Sequence, residues 1–391
     1  LRLPHREHHI EPTIIDLEDF VALVLESSAM SPTDWMAFDI ETTQRQGNQV
    51  TCIGFALSPG QSFVVPTTPA YWAGKAELEH VWDLVRRLLH GPNPKVTQNG
   101  HYDYYWLGRQ HGIRPVRWHW DTLAMHHCLD CTDSHSLGYL ASCYTRQPYW
   151  KTMTKDSEAE WGVAAYGSDE RTLWTYNGLD CCVTLELARK FHRMLEKRGQ
   201  LDFYVKHYRE LARPALKMML HGVRVDDVAR RWWHFNLQAE RIECQDKLAE
   251  LAGGPLHAAK SLSSIKVKKF LYEDLGLPKQ WAKGQRGMPM IGKRTTSDEV
   301  AIRKLVQWTH KGGAKYDRAR AALSLILEER RKDKLVSFLA PKVVDEDGRL
   351  RATFKLTTEA GRFASAKNPM RTGLNLQNQD REIRRTFVPD E

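Results

Sequence analysis

The sequence predicts an α/β layer fold for the first half of the chain and a mainly helical second half. Three observations carry that expectation. Short strand-like runs come first and then alternate with helical patterns, the order of an α/β layer. Beyond Lys197-Arg198-Gly199-Gln200 long helical periodicity takes over. At 391 residues the chain exceeds one ordinary domain and suits two of moderate size.

Asp16-Leu17-Glu18-Asp19-Phe20 opens an amphipathic helix, with Asp16 the expected N-cap. Strands follow at Trp35 to Asp39, Val50 to Leu57 and Ser62 to Val65, parted by polar residues or by Pro59-Gly60. A helix from Ala76 to Leu89 stops at Gly91-Pro92, a Gly-Pro stop signal. The strand Lys95 to Gln98 runs into a helix from His101 to Gln110. Tyr144 to Trp161 is polar and irregular and reads as a loop, before a helix from Asp169 to Leu195. The boundary near 197 gives two expected domains, 1–197 and 198–391. In the second, helices are expected at Asp202 to Leu220, Asp226 to Leu251, Ser297 to Thr309 and Tyr316 to Leu339. Ala282 to Thr296, rich in Gly, Lys and Arg, reads as a loop. From Val343 the pattern is extended pieces with turns such as Asp345-Glu346-Asp347-Gly348.

Composition narrows the classes. With 42% hydrophobic and 27% charged residues the chain is of soluble globular type. A net charge of +9 favours a polyanionic partner. Seven cysteines without framework spacing suit a reducing compartment. No apolar run is long enough to span a membrane, and the first residues form no secretory signal. The chain starts without Met, as an excerpt, a processed product or an incomplete reading frame would.

Four acids in three motifs suggest chemistry. In Ala37-Phe38-Asp39-Ile40-Glu41-Thr42 the period of two puts Asp39 and Glu41 on one strand face and Phe38 and Ile40 on the other. Two carboxylates so placed repel unless a cation sits between them. Asn99 and Asp103 lie four apart at a helix start, as a cap and a first-turn acid would. Tyr176 and Asp180 are again i and i+4: the phenol suits holding a water, the carboxylate a hard cation. Each motif alone reads more simply as ordinary helix and strand chemistry. Together and in this order they suit a two-metal site that clamps the attacking and leaving oxygens of a phosphodiester.

On these residues the segment from about 13 to 197 resembles the 3′–5′ proofreading exonuclease domain of family A DNA polymerases. It is similar to the DEDD superfamily in its tyrosine variant. Gln98-Asn99, Asp121-Thr122 and Asp180-Cys181-Cys182-Val183-Thr184-Leu185 support the match. The resemblance implies a ribonuclease H-like fold, a mixed β-sheet flanked by helices. It implies Asp39, Glu41, Asp103 and Asp180 as ligands of two divalent ions, Mg²⁺ or Mn²⁺, with Tyr176 positioning water. Asn99 would touch the substrate strand, and the location would be the cytoplasm of a bacterial or phage-infected cell.

The second half resembles the same family. Leu211 to Met219 followed by His221-Gly222-Val223-Arg224-Val225-Asp226 is similar to the opening of the polymerase region. Ser261-Leu262-Ser263-Ser264 and Phe270 to Pro278, continued by Thr296-Ser297-Asp298-Glu299, are similar to its thumb. Thr358-Glu359-Ala360-Gly361-Arg362-Phe363-Ala364-Ser365 and Asn375-Leu376-Gln377-Asn378 are similar to two motifs at the start of the palm. The spacer Lys367 to Leu374 is similar to that of phage-type members. Arg362, Asn375, Gln377 and Asn378 would then contact DNA, whether a single-stranded 3′ end or a primer–template duplex. Lys266-Val267-Lys268-Lys269 suits either phosphate tracking or a solvated helix face. Ala360 departs from the usual Thr, and Gln379-Asp380 from the usual Ile-Pro. The chain ends before the family's palm aspartates and fingers. The resemblance therefore implies that nucleotide addition needs a separate chain or a further C-terminal segment.

Other patterns carry less. Cys128-x2-Cys131 has His126, His127 and His135 nearby but no second C-x2-C pair, so zinc is not the reading adopted. Trp118, Trp120, Trp150, Trp161 and Trp174 suit base stacking only if exposed. Two other functions stay open: a DNA-binding accessory module with an idle nuclease fold, and a stand-alone exonuclease of the ribonuclease D kind.

Overall fold

A computed structural model describes residues 3–30, 34–43, 49–151, 170–259, 261–282 and 294–390. It divides into two compact units. The first comprises Leu1–Gly222 and Arg351–Gln377, the second Val223–Leu350 and Asn378–Glu391. The compact units therefore part after Gly222. The helix Glu210–His221 packs on α3 (His101–His111), and its Leu216 and Met219 join the same core, so this stretch stays with the first unit.

A six-stranded mixed sheet forms the first unit, in the order β1-β4-β3-β2-β5-β6. The strands are β1 (Glu7–His9), β2 (Met36–Thr43), β3 (Gln49–Ser58), β4 (Gln61–Pro66), β5 (Lys95–Thr97) and β6 (Trp118–Asp121). β2 to β4 form an antiparallel meander, while β5 and β6 continue parallel to β2. The expected strands are all present: β2 runs on to Thr43, β3 and β4 each gain one residue at either end, and β5 stops one residue short, at Thr97. Helix α1 (Ile14–Met30) and α2 (Lys75–His90) also form as expected.

The alternation on β2 decides what lies where. Phe38 and Ile40 are buried in one core with Ile53, Phe55 and residues of α1, α2 and α3. Ala37 faces the other core, built with α4 (Thr122–Leu129), α5 (Leu137–Tyr144) and the long helix Glu170–Lys197. Asp39 and Glu41 share the face of Ala37 and look toward that long helix. A register shift after Glu41 marks a β-bulge, a device that re-aims side chains near functional sites.

Two caps differ from expectation. Thr13, not Asp16, caps α1. The Thr13 hydroxyl accepts the Asp16 N–H at 3.2 Å, while the Asp16 carboxylate accepts the Thr13 N–H at 2.8 Å. This is a capping box with a short acid at its third position, since Asp16 can reach back to Thr13. Asn99 is exposed and left-handed at φ 61°, and its side chain caps nothing. Asp121 takes that role. Its carboxylate accepts the N–H of Gly100 at 2.7 Å and of Asn99 at 3.2 Å, and then the N–H groups of Leu123 and Ala124 at the start of α4.

The second unit holds two long helices, Asp227–Ala252 and Asp317–Leu339. Arg230 reaches the carbonyl of Leu339, Arg241 pairs with Glu329, and Arg318 reaches the carbonyl of Leu251, so the helices run antiparallel. Asp226 and Asp298 cap the helices that follow them. Lys266 is tied to the carbonyls of Pro255 and His257, so it serves local structure rather than standing free on a helix face. The expected single helix Asp202 to Leu220 is instead Leu201–Phe203, a wider π-type stretch Tyr204–Arg209, and Glu210–His221, which contains Pro214. Proline donates no N–H, and the wider turns lie just ahead of it. Of the expected loops, 152–161 and 283–293 lie outside the described residues.

Two glycines let the long helix approach the sheet. A Cβ on Gly54 would stand 2.4 Å from Asn177 Oδ1 and 2.9 Å from Cys181 Sγ. One on Gly178 would stand 2.4 Å from Ser62 Oγ. Gly54 pairs with Asp39 across the β2–β3 ladder. Gly54→Ala is expected to lower unfolding stability by about 1–3 kcal/mol through overpacking. A urea titration at unchanged m-value measures it, and an unaltered midpoint would contradict the close approach.

Candidate active site

Asp39, Glu41 and Asp180 meet in the first unit, with Asp39 and Asp180 on the lining of a cleft. Their ligand oxygens lie within 4.8 Å of one another. β2 supplies the first two, and the third turn of the helix Glu170–Lys197 supplies the third. Asp103, buried in the first turn of α3, stands beside this trio rather than within it. Its Oδ1 accepts the N–H of Ile40 at 3.1 Å, which fixes it against β2.

Asp39 and Asp180 are each held by named donors. Asn177 Nδ2 donates to Asp39 Oδ2 at 2.9 Å. Trp150 Nε1 donates to Asp180 Oδ1 at 2.6 Å, and Lys151 Nζ to Asp180 Oδ2 at 2.5 Å. Lys151 also donates to the Tyr176 hydroxyl at 2.6 Å, with its Nζ 4.4 Å from that ring's centroid.

The electrostatics follow from this crowding. Burial pushes Asp39 well above the usual carboxylate range, and the charges of Asp103, Asp180 and Glu41 push it further. Burial and the Asp180 charge raise Glu41 to about 8. Burial raises Asp103 to about 7, against the hydrogen bond from Ile40. Asp180 is raised by burial, a shift opposed by the charge of Lys151 and by bonds from Lys151, Trp150 and Tyr176. Buried acids that resist ionising side by side suit oxygen coordination of hard divalent cations, which supply the missing positive charge.

The cleft has a volume of about 670 Å³. Gln98, Asn99 and Tyr102 line it beside the acids, as do Tyr204, Tyr208 and Arg209. Thr353 to Thr357 line it too. They come from an antiparallel hairpin, Ala352–Lys355 with Ala364–Lys367, that belongs to the same compact unit.

The sequence-derived residues thus fall into distinct places. Asp39, Glu41, Asp180 and Tyr176 come together, with Asp103 adjacent. Asn99 lies on the cleft lining. Arg362 is exposed in the hairpin turn, and Thr358 bonds its backbone at both N–H and carbonyl. Asn375 is half-buried and caps the N–H of Gln377, whose amide donates to the Phe363 carbonyl. Asn378 is exposed and belongs to the second unit. Trp118, Trp120, Trp150 and Trp174 are buried, so these four are core residues rather than stacking platforms. Trp161 lies outside the described residues. Among the described residues Cys128 and Cys131 join no cluster able to hold an ion. The sequence reading missed Lys151 and Asn177, and it missed the bond from Trp150 to Asp180. Asn177 carried a signal, since it precedes Asp180 by three on the helix face turned to the sheet.

Residues 12–196 match the family model described as 3′–5′ exonuclease, of the DNA polymerase A group. The matched segment, just under half of the chain, bears all four acids and is similar to the 3′–5′ exonuclease domain of DNA polymerases of that group. A curated relative is DNA polymerase I of Rhizobium leguminosarum, 26% identical over 422 residues that cover 98% of this chain and 38% of that protein. The chain thus spans well under half the length of that relative. A similar solved structure is the POL domain of Pol1 from M. smegmatis, in complex with DNA primer-template and dNTP. It has a TM-score of 0.65 at 19% identity, covering 99% of this chain and 59% of that one, and shows the shared fold. No helix among the described residues is long and apolar enough to cross a membrane.

Burial without a cation sets a pH dependence. Glu41 binds its proton more tightly folded than unfolded, so ionisation favours the unfolded chain. As far as this group is concerned, metal-free stability should be fully present below pH 4.5 and should be lost as pH rises from there through about 8. Thermal unfolding in chelator across that range should show a slope that Glu41→Gln flattens. A slope unchanged by the substitution would exclude Glu41 as its source.

Proposed function

We propose that this chain removes nucleotides from DNA 3′ ends by hydrolysis, as the proofreading part of a family A DNA polymerase. One observation carries the reading. Three carboxylates converge within 4.8 Å, with Asp103 adjacent, inside the segment matched by the exonuclease family model.

Asp39, Glu41 and Asp180 would hold one divalent ion, and Asp39 with Asp103 a second, Mg²⁺ or Mn²⁺ by the oxygen-only donor set. Bound ions supply charge that lets the acids ionise together and that polarises water and the phosphodiester. The protein's own part is positional. Asn177 fixes the Asp39 carboxylate, the Ile40 N–H fixes Asp103, and Trp150 fixes Asp180. The Tyr176 hydroxyl, beside Asp180, would orient the attacking water. Attack by the water oxygen on phosphorus releases the penultimate 3′ oxygen, which takes up a proton, and the terminal nucleotide leaves as a monophosphate.

The cleft volume falls in the range of about 300–1,000 Å³ typical of small-ligand sites, enough for a frayed strand end rather than a duplex. Tyr102 and Leu123 offer apolar surface to bases, and exposed Asn99 offers an amide. We assign exposed Arg362, Gln377 and Asn378, with Asn375, to primer–template contact. On this reading residues 1–197 carry the nuclease, and residues 198–391 the thumb and the start of the palm.

Glu41→Gln should cut Mg²⁺-dependent release of 3′ nucleotides from end-labelled single-stranded DNA by about 10²–10⁴-fold. Circular dichroism should show the fold retained. Wild-type rates from a folded Glu41→Gln protein would overturn the assignment.

A further inference from the structure

Both oxygens of Asp180 are already engaged. Trp150 donates its indole N–H to Oδ1 at 2.6 Å, and Lys151 its ammonium to Oδ2 at 2.5 Å. The Lys151 side chain is mostly buried, one-fifth exposed, and lines the cleft. Its charge opposes the upward shift of Asp39, Glu41 and Asp180 alike. It is therefore a counter-cation to the whole trio, and it stands on the carboxylate that completes the cluster.

A divalent ion and this ammonium compete for one place. Hard cations sit about 2.0–2.6 Å from carboxylate oxygens. An ion bound to Asp180 would leave the Lys151 ammonium a few ångströms away in a half-desolvated cleft, where like charges repel strongly. The Trp150 indole is neutral and meets no such repulsion. Of the donors on Asp180, Lys151 is the one that carries a charge, so it is the one that must give way. Its four-carbon stem allows that movement without disturbing the backbone.

We propose that Lys151 is a displaceable counter-cation of this site. It neutralises the acid cluster in the metal-free protein, and it releases Asp180 Oδ2 into the cleft when a divalent ion binds. There it presents its charge to the phosphate of the bound strand. The inference rests on the metal-dependent exonuclease reading. It adds that the site carries its own competitor for the metal, so cation affinity is set by Lys151 as well as by the acids.

The probe is Mn²⁺ alone, followed by electron paramagnetic resonance on the full chain without DNA. Lys151→Met keeps the stem and removes the charge, and should tighten Mn²⁺ binding on the order of tenfold. It should also lower the turnover of 3′ ends at saturating Mn²⁺. Lys151→Arg keeps the charge and should bind Mn²⁺ within a factor of about three of wild type. A folded Lys151→Met protein with unchanged or weaker Mn²⁺ affinity overturns the inference while leaving the exonuclease reading intact. Absence of Mn²⁺ binding by the wild type overturns both. Amine labelling of the wild type, read by mass spectrometry at Lys151, keeps the test open if Lys151→Met fails to fold. Labelling should rise when Mn²⁺ is added, and equal labelling with and without Mn²⁺ overturns the inference.

Discussion

Mutual repulsion among neighbouring carboxylates is the constraint that the first unit has to overcome. Asp39, Glu41 and Asp180 lie too close to ionise freely, and Asp103 adds to the strain on Asp39. The fold brings them together by hydrophobic means. Phe38 and Ile40 anchor β2 in one core, which forces Asp39 and Glu41 onto the opposite face. Gly54 and Gly178 then let the helix bearing Asp180 settle against the sheet. Apolar burial thus holds a polar cluster that would otherwise push itself apart, and local donors take up part of the unfavourable charge.

Asp121 shows how the rest of the cleft is kept in register. One carboxylate serves the backbone ahead of α3 and the start of α4, and it also accepts the Thr97 hydroxyl at 3.1 Å. The Asp121 N–H donates to the Tyr204 hydroxyl, which in turn donates to the His119 carbonyl. β5, β6, two helices and the π-type stretch therefore share one small polar hub. This geometry places Gln98 and Asn99 on the same lining as Tyr204 and Tyr208.

Periodicity made much of this legible. The strands of the meander, the helices α1 to α3 and the long helices of the second unit follow from period-two and period-3.6 patterns. Asp39, Glu41, Tyr176 and Asp180 were readable because each sits in a regular element with fixed geometry. The parts that escaped depend on distance in space rather than in sequence. Asn99 looked like a cap because its own helix was the only context, yet Asp121 supplies the capping oxygens from another strand. Trp150 and Lys151 lie in an irregular stretch, where no period predicts direction. The hairpin of Ala352–Lys355 and Ala364–Lys367 reads as the start of a second domain, and only its packing returns it to the first.

That return has a consequence for assembly. The chain leaves the first unit after Gly222 and rejoins it at Arg351, so one wall of the cleft is synthesised long after its floor. A flexible excursion between those points would impose a closure entropy that grows with the logarithm of its length. Here Val223–Arg224 pairs antiparallel with Arg349–Leu350, which clamps the two ends of the excursion side by side. Once the inserted unit has folded on its own core, the hairpin is delivered next to its departure point. The late wall then closes as a short loop would, and the order of synthesis sets when the cleft is finished without setting how stable it is.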